Sequence, residues 1–383
     1  MFNTPTPYLY LKNHLTFPLI IHHSPSPSCS LHFSTNNTSD STTSFAVSYL
    51  INNFNFTPQY ASKLCSTYEI RFQTSEKPDL VLNFFRNNGF SETQLCSIIS
   101  KAPRLLTCDP FIRVVPKFEF FLSKGASKSD IVSMVSKYPR LLYSSLENHI
   151  VPTYELLYRF LQSHTIACAI YYPKILIDYR VPRNIRLLIE IGVPNPNIAT
   201  LLQKQCRAFI IPNMPMLIEE LKNLGFNPSE KTFARALEAK LSVNNTLWKK
   251  KVDAFKKWGW SDEDIVEGFR KHPHYMLTSI KKINLVMNFW VNQLGWDALA
   301  IAKIPRVIEY SLERRIIPRA EVVQFLLKKG LRKKNASLTL PFVLPEKLFL
   351  DKYIKRYKEE SSYLLKLYEE KRTLSLKDKT DMS

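Results

Sequence analysis

Five cations stand immediately after regularly spaced prolines, or after the residue that replaces one: Arg104, Arg140, Lys174, Arg207 and Arg306. A row of positive charges advancing by one fixed step suits contact with the phosphates of a polymer. Such contacts set position and affinity without reading sequence. Arginine can hold a phosphate with two hydrogen bonds, whereas Lys174 would act as a point charge. Where His274 follows its proline, Lys271 supplies a cation two residues ahead of Pro273. The same positions also suit helix C-termini, where a cation is favourable in its own right. The two uses are compatible.

Denser basic patches lie in the last third of the chain. They are Lys249, Lys250 and Lys251 with Lys256 and Lys257; Arg314 and Arg315 with Arg319; and Lys328 and Lys329 with Arg332, Lys333 and Lys334. A charge run of this kind is either a solvated face or an electrostatic footprint. Five tryptophans share that third: Trp248, Trp258, Trp260, Trp290 and Trp296. Their helical spacing favours core packing over stacking on bases.

The 383-residue chain carries 53 Lys and Arg against 33 Asp and Glu, a formal charge of +20. Residues 1–60 hold one base, Lys12, and one acid, Asp40, so the whole excess lies beyond them. So much unbalanced charge opposes compaction, and an anionic partner is its simplest use. Charge alone does not choose among DNA, RNA and an anionic lipid surface. Catalysis has no visible footing: no phosphate-binding loop, dinucleotide fingerprint, nucleophile elbow or H-E-x-x-H occurs. His272 and His274 flank Pro273 without thiol or carboxylate companions at metal-ligand spacing. The reading is a non-enzymatic protein without cofactor or metal.

What positions the cations is a repeat. Pro103-Arg104-Leu105-Leu106 recurs 36 residues later as Pro139-Arg140-Leu141-Leu142. Self-similarity at 20–50 residues marks a repeat architecture. Each unit reads as an apolar helix ending in glycine, a second helix, and a proline-led turn. The glycines are Gly89, Gly125, Gly192, Gly225, Gly259, Gly295 and Gly330, with one missing near Phe160–His164. Glycine beyond a helix predicts a left-handed cap. Ser91 with Gln94, Ser127 with Asp130, and Ser261 with Asp264 predict capped starts for second helices. Pro103, Pro139, Pro173, Pro273 and Pro305 end those helices, Cys206 replaces one such proline, and the unit around Ala234–Lys240 has lost it. Pro116, Pro152, Pro182, Pro215 and Pro318 then open the next helices, where a first-turn proline forfeits no hydrogen bond.

About seven units run in phase from residue 80 to 335. Two short helices cannot bury their apolar faces alone, so the units must stack. The predicted fold is all-α, with helical repeats stacked at right angles into a curved α-solenoid superhelix whose concave face suits an extended ligand. Residues 61–79 read as a linker or partial first repeat, 336–370 as C-terminal capping helices, and 371–383 as a disordered tail. Residues 1–60 are rich in Ser, Thr, Asn and Pro and poor in acid, the composition of an organelle transit peptide. A secretory signal or an unaddressed tail competes with that reading, and serine with missing arginine leans towards plastids. No apolar run reaches the length of a membrane span. The six cysteines form no C-x-x-C pair and read as small buried hydrophobes in a reducing compartment.

The P-R-L-L turns and the G-F-S and G-W-S junctions resemble those of the mitochondrial transcription termination factor family, mTERF. The late segment is similar to its land-plant organellar group: Trp258-Gly-Trp-Ser-Asp-Glu-Asp-Ile, Phe269-Arg-Lys-His-Pro, Ile301-Ala-Lys-Ile-Pro and Tyr310-Ser-Leu-Glu-Arg-Arg-Ile-Ile-Pro-Arg. The resemblance covers about residues 80–350. It implies a left-handed superhelix with a basic concave path, acting as a monomer on organellar double-stranded DNA in transcription or its termination. Action on RNA, in intron splicing or transcript maturation, is the alternative; a protein-interaction scaffold is a third reading that the charge disfavours. The resemblance implies a mitochondrial address, with the chloroplast as alternative.

Overall fold

The repeat signals translate almost one for one into helix ends. In the computed structural model, which describes residues 44–333 and 335–380, Gly89, Gly125, Gly192, Gly225, Gly259, Gly295 and Gly330 all have positive φ, between 66° and 92°. Ser91, Ser127 and Ser261 each form the full reciprocal capping box with Gln94, Asp130 and Asp264. The shorter aspartate reaches back as well as glutamine does, at 3.0 Å from Asp130 Oδ2 to the Ser127 amide and 2.8 Å from Gln94 Oε1 to that of Ser91. In the unit lacking its glycine, Gln162 takes the positive φ instead, at φ 50° and ψ −127°. A side chain there is strained, because its Cβ crowds the backbone.

The architecture is all-α among the described residues. Every proline-led turn proves to be a complete 3-10 helix, giving each full repeat three parts. Glu92–Lys101 is followed by Pro103–Thr107, Lys128–Lys137 by Pro139–Tyr143, and His164–Tyr171 by Pro173–Leu176. The pattern continues with Asn195–Gln205 before Cys206–Ile210, Asp262–Lys271 before Pro273–Leu277, and Ala298–Lys303 before Pro305–Glu309. The residue before the proline is forced out of the helical region, as at Tyr138 with φ −140° and ψ 72°. Gln205, which precedes Cys206, relaxes only to φ −134° and ψ 40°, so the 3-10 helix survives loss of its proline. Lys231–Ser242, the second helix of the unit around Ala234–Lys240, has no 3-10 helix after it; the chain passes through Val243 to the next N-cap, Asn244.

The chain divides into two units, one running through Arg186 with Ile198–Pro212, the other comprising Leu187–Asn197 and the chain from Asn213 onward. In the first, Leu95, Ile98, Ile99, Met134, Leu141, Leu142, Ile175 and Leu176 are fully buried. In the second, Phe233, Phe255, Tyr275, Met276, Trp290, Val307 and Ile308 play that part. Each such side chain contributes about 1.5–3 kcal/mol of burial. Gly268 sits inside Asp262–Lys271, where a Cβ would lie 2.9 Å from the Pro305 ring, so this helix approaches the 3-10 helix of the next repeat, Pro305–Glu309, closely enough to favour glycine.

Three expectations change. Ordered helix begins at Phe45–Phe54, inside the stretch read as a leader, and buries Ala46, Tyr49 and Leu50; residues 1–43 lie outside the described residues. The final helix, Ser361–Thr380, runs into the stretch read as a disordered tail; Leu364 and Tyr368 pack on Val322 and Leu326 of Ile317–Lys328 and on Phe349 and Ile354. Cys168 and Cys206 are joined by a disulfide across 38 residues, because stacking sets positions about one repeat apart side by side. No C-x-x-C spacing announces such a pair. Cys65, Cys96 and Cys108 carry no disulfide, and Cys29 lies outside the described residues.

Gln162→Gly should raise the urea unfolding midpoint, by about 1 kcal/mol in free energy once the more flexible unfolded chain is counted. Gly268→Ala should lower it by about 1–3 kcal/mol, because the added methyl meets a buried proline ring. An unchanged midpoint in Gln162→Gly would mean that the turn carries no strain.

Candidate nucleic-acid interface

A 3-10 helix has three residues per turn, so positions three apart share a side. Pro103 and Leu106 therefore point together into the core, Leu105 flanks them, and Arg104 and Thr107 face solvent. The same logic turns Arg140, Lys174, Arg207 and Arg306 outward while the two apolar residues after each are buried. At these five turns the position after the proline, or after Cys206, is exposed, whereas His274 after Pro273 is half-buried.

In the first unit Arg104 and Arg140 share the wall of a groove of about 830 Å³, with Arg113, Tyr68 and Tyr143. Asp109 is the acid on that wall, and its carboxylate is already engaged, accepting from the amides of Phe111 and Ile112 as the cap of Pro110–Arg113. Burial pushes the Tyr143 phenol up to about 12, so it stays neutral at physiological pH. Arg104 donates through Nε to the Tyr68 carbonyl at 3.0 Å, capping Pro58–Tyr68, and its guanidinium lies 3.7 Å from Glu69. Capping and exposure coexist, for the side chain keeps 58% of its surface. Arg140 reaches the Tyr68 hydroxyl at 3.4 Å. Lys174 lies 3.8 Å from Asp178. Burial would raise the Asp178 carboxyl, but hydrogen bonds from Arg180 outweigh it and hold the group below its usual range, so the charge beside Lys174 persists.

In the second unit Arg306 is exposed with its guanidinium 5.8 Å from the centre of the Tyr310 ring, and Arg314, Lys249 and Lys250 are exposed. Lys271 pairs with Glu267 at 3.2 Å. His274, occupying the row position, meets the buried Glu238 at 3.1 Å. Burial, then the nearby Arg306, Arg235 and Lys271, hold the His272 imidazole below its usual value. Among the described residues no group of three His, Cys, Asp or Glu could hold a metal. Trp260 and Trp290 lie in the core, away from any ligand. Of the last basic patch, Lys328, Lys329 and Lys333 are exposed, while Lys334 lies outside the described residues.

Of the residues chosen for phosphate contact, two belong to the interior and a third is half-buried against backbone carbonyls. Lys251 is 3% exposed and donates to the Thr278 carbonyl; burial lowers its pKa. Arg319 is fully buried, donating to the carbonyls of Pro341 at 2.8 Å and Leu344 at 2.7 Å. Arg315 donates to Phe342 at 2.8 Å and Leu344 at 2.6 Å and lies 3.8 Å from the centre of the Tyr310 ring. Two equivalents were not singled out from sequence. Lys282 donates to the Glu309 carbonyl at 2.6 Å, and the buried Asn184 to Phe209 and Ile211 at 2.8 and 3.0 Å. Lys251, Lys282, Asn184 and Arg315 each reach a carbonyl 27 residues ahead. That constant offset was the available signal: a donor on a first helix clasping the end of its own repeat.

A second regular set also escaped the sequence reading. Two residues before the proline position, Lys101, Lys137, Lys204 and Lys303 are all exposed, as Lys271 is.

Stacked helix–helix–3-10 repeats bearing outward cations at a fixed repeat position define a helical-repeat protein. The mTERF family model matches residues 82–239 and 213–350, and the chain belongs to the mTERF family. A similar protein is "Transcription termination factor MTERF15, mitochondrial" of Arabidopsis thaliana, 28% identical over 102 residues. That match covers 27% of this chain and 21% of the relative, so it spans about a fifth of the relative's length.

Lys251→Met should cost about 1–3 kcal/mol of stability, since the Thr278 carbonyl loses its donor. Its affinity for duplex DNA, measured where the variant is folded, should stay within about twofold of wild type, as expected when no phosphate contact is lost. Lys249→Ala with Lys250→Ala should leave the urea midpoint within about 0.5 kcal/mol. A large loss of DNA affinity in Lys251→Met at full folding would return that lysine to the interface.

Proposed function

We propose that the protein is an organellar nucleic-acid-binding regulator of gene expression that grips double-stranded DNA and acts in transcription or its termination. The observation that carries this reading is the groove holding Arg104 and Arg140, exposed side chains at the same position of consecutive 3-10 helices. Cations placed by a repeat meet a ligand that is itself periodic, and a phosphate backbone is the common biological one. Family membership and the relative's printed name support the transcriptional role and the mitochondrial address. The net charge of +20 supplies long-range attraction for any polyanion, while the row fixes where the backbone lies.

In this reading Arg104, Arg140, Lys174 and Arg207 contact phosphates in the first unit, and Arg306, Arg314, Lys249, Lys250 and Lys271 do so in the second. Lys271 and Lys174 exchange a carboxylate partner for phosphate when DNA arrives. Arg104 keeps its carbonyl bond and offers its outer nitrogens.

Binding of a fluorescent duplex should weaken linearly on a log–log salt plot. Arg104→Ala with Arg140→Ala should reduce the slope by about 2, since each phosphate contact contributes about 0.9. No duplex binding at low salt, or an unchanged slope in the double variant, would defeat the proposal. Crosslinking the protein to nucleic acid in isolated mitochondria would then identify the bound sequences.

A further inference from the structure

The first unit carries a second groove that shares no lining residue with the one holding Arg104 and Arg140. It encloses about 890 Å³ between Glu92–Lys101 and Lys128–Lys137, beside the end of Glu76–Asn87. Its walls carry three exposed lysines, Lys101, Lys128 and Lys137, and no carboxylate. Between the lysines stand amides and hydroxyls: Asn87, Asn88, Gln94, Ser133 and Ser136 among them. Asn88 spends its NH2 on the Phe84 carbonyl at 2.8 Å, and Gln94 its oxygen on the Ser91 amide, which leaves an amide oxygen and an amide NH2 on the groove wall. The Ser136 hydroxyl is buried at the groove floor and has no hydrogen-bond partner there.

Lys101 and Lys137 occupy the position two before the proline in consecutive repeats, where the next repeat has Tyr171. The Lys137 ammonium lies 5.5 Å from the centre of the Tyr171 ring. The groove therefore leads to an aromatic face along one line of equivalent positions.

From this we infer that the lysine groove is a site for single-stranded nucleic acid, separate from the arginine row. The inference rests on the nucleic-acid reading above and extends it to a second strand. Lysines would hold phosphates, as cations on the wall of a recess do. The amides and hydroxyls match base edges, which only an unpaired strand can turn into a recess between two helices. A duplex keeps its bases stacked inside and shows a recess little but phosphate and groove edge. The volume lies within the range of about 300–1,000 Å³ usual for ligand clefts.

The test compares an RNA and a DNA single strand of the same sequence, each about 15 nucleotides, with a duplex of that length. The full-length wild type is set against Lys101→Ala/Lys128→Ala/Lys137→Ala and Arg104→Ala/Arg140→Ala. A charge-matched control, Lys257→Ala/Lys328→Ala/Lys333→Ala, removes three exposed cations outside both proposed contact sets. The groove variant should lose about tenfold in single-strand affinity and about 2 in log–log salt slope, at about 0.7 per contact, while duplex binding stays within about twofold. The arginine variant should show the opposite selectivity. RNA carrying 4-thiouridine should crosslink to peptides within residues 87–137, a readout that survives even if the substitutions disturb folding. Equal single-strand losses in the control, or crosslinks confined elsewhere, would overturn the inference. A wild type that binds duplex but no single strand overturns it alone; one that binds neither sinks the function proposed above.

Discussion

Each short 3-10 helix ends on carbonyl groups that its own backbone amides do not reach, and the repeats must satisfy them while stacking. A buried carbonyl left without a donor costs about 1–3 kcal/mol. Asn184, Lys251 and Lys282 meet that demand at the ends of Cys206–Ile210, Pro273–Leu277 and Pro305–Glu309, each from 27 residues upstream. Arg315 reaches the Phe342 carbonyl of the short helix Leu340–Val343 over the same offset. Lysine and arginine are costly answers, because burial disfavours their charge and lowers the pKa of both Lys251 and Lys282. They are tolerated because the dipoles they meet are fixed and face them. Asn184 is the neutral solution, and its single NH2 group spans two carbonyls.

The 3-10 helix in turn fixes which side chain faces outward. With Leu105 and Leu106 locked inward, Arg104 has nowhere to point but solvent. The same holds for Arg140 above Leu141 and Leu142, and for Lys174 above Ile175 and Leu176. Side chains placed this way stand on regular backbone, so no loop has to order before they meet a ligand. Structural cations and exposed cations lie within a few residues of one another yet do unrelated work. One kind faces a carbonyl, the other faces water.

That distinction limited what the sequence could disclose. Helix ends were legible because their signals are local: a serine meets an acid or amide three residues on, and a glycine supplies a left-handed cap. The row after each proline was legible because a 3-10 turn exposes a fixed position. Lys251 was misread because it continues the run Lys249-Lys250-Lys251, and a helix turns about a quarter circle per residue, so one member of three faces the core. Arg319 was misread for the same reason within Ile317–Lys328. Gln162 was invisible, since no propensity marks glutamine for positive φ; only the gap in the glycine series pointed to the place. The Cys168–Cys206 pair was hidden too, because it depends on which surfaces stack.

The repeat that lost its proline shows how closely structure and charge are tied. After Lys231–Ser242 there is no 3-10 helix, hence no outward position and no cation of the row. The buried Glu238 of that helix instead meets His274, which occupies the row position of the next repeat. Losing the element therefore removes one contact and diverts its neighbour. At the other 3-10 helices the outward residue is arginine or, in the shorter Pro173–Leu176, lysine, and even Cys206 in place of proline leaves Arg207 exposed. The position is a property of the fold, whereas the charge placed on it is a free choice of sequence. A repeat built this way can change the charge it presents at that position without reworking its core.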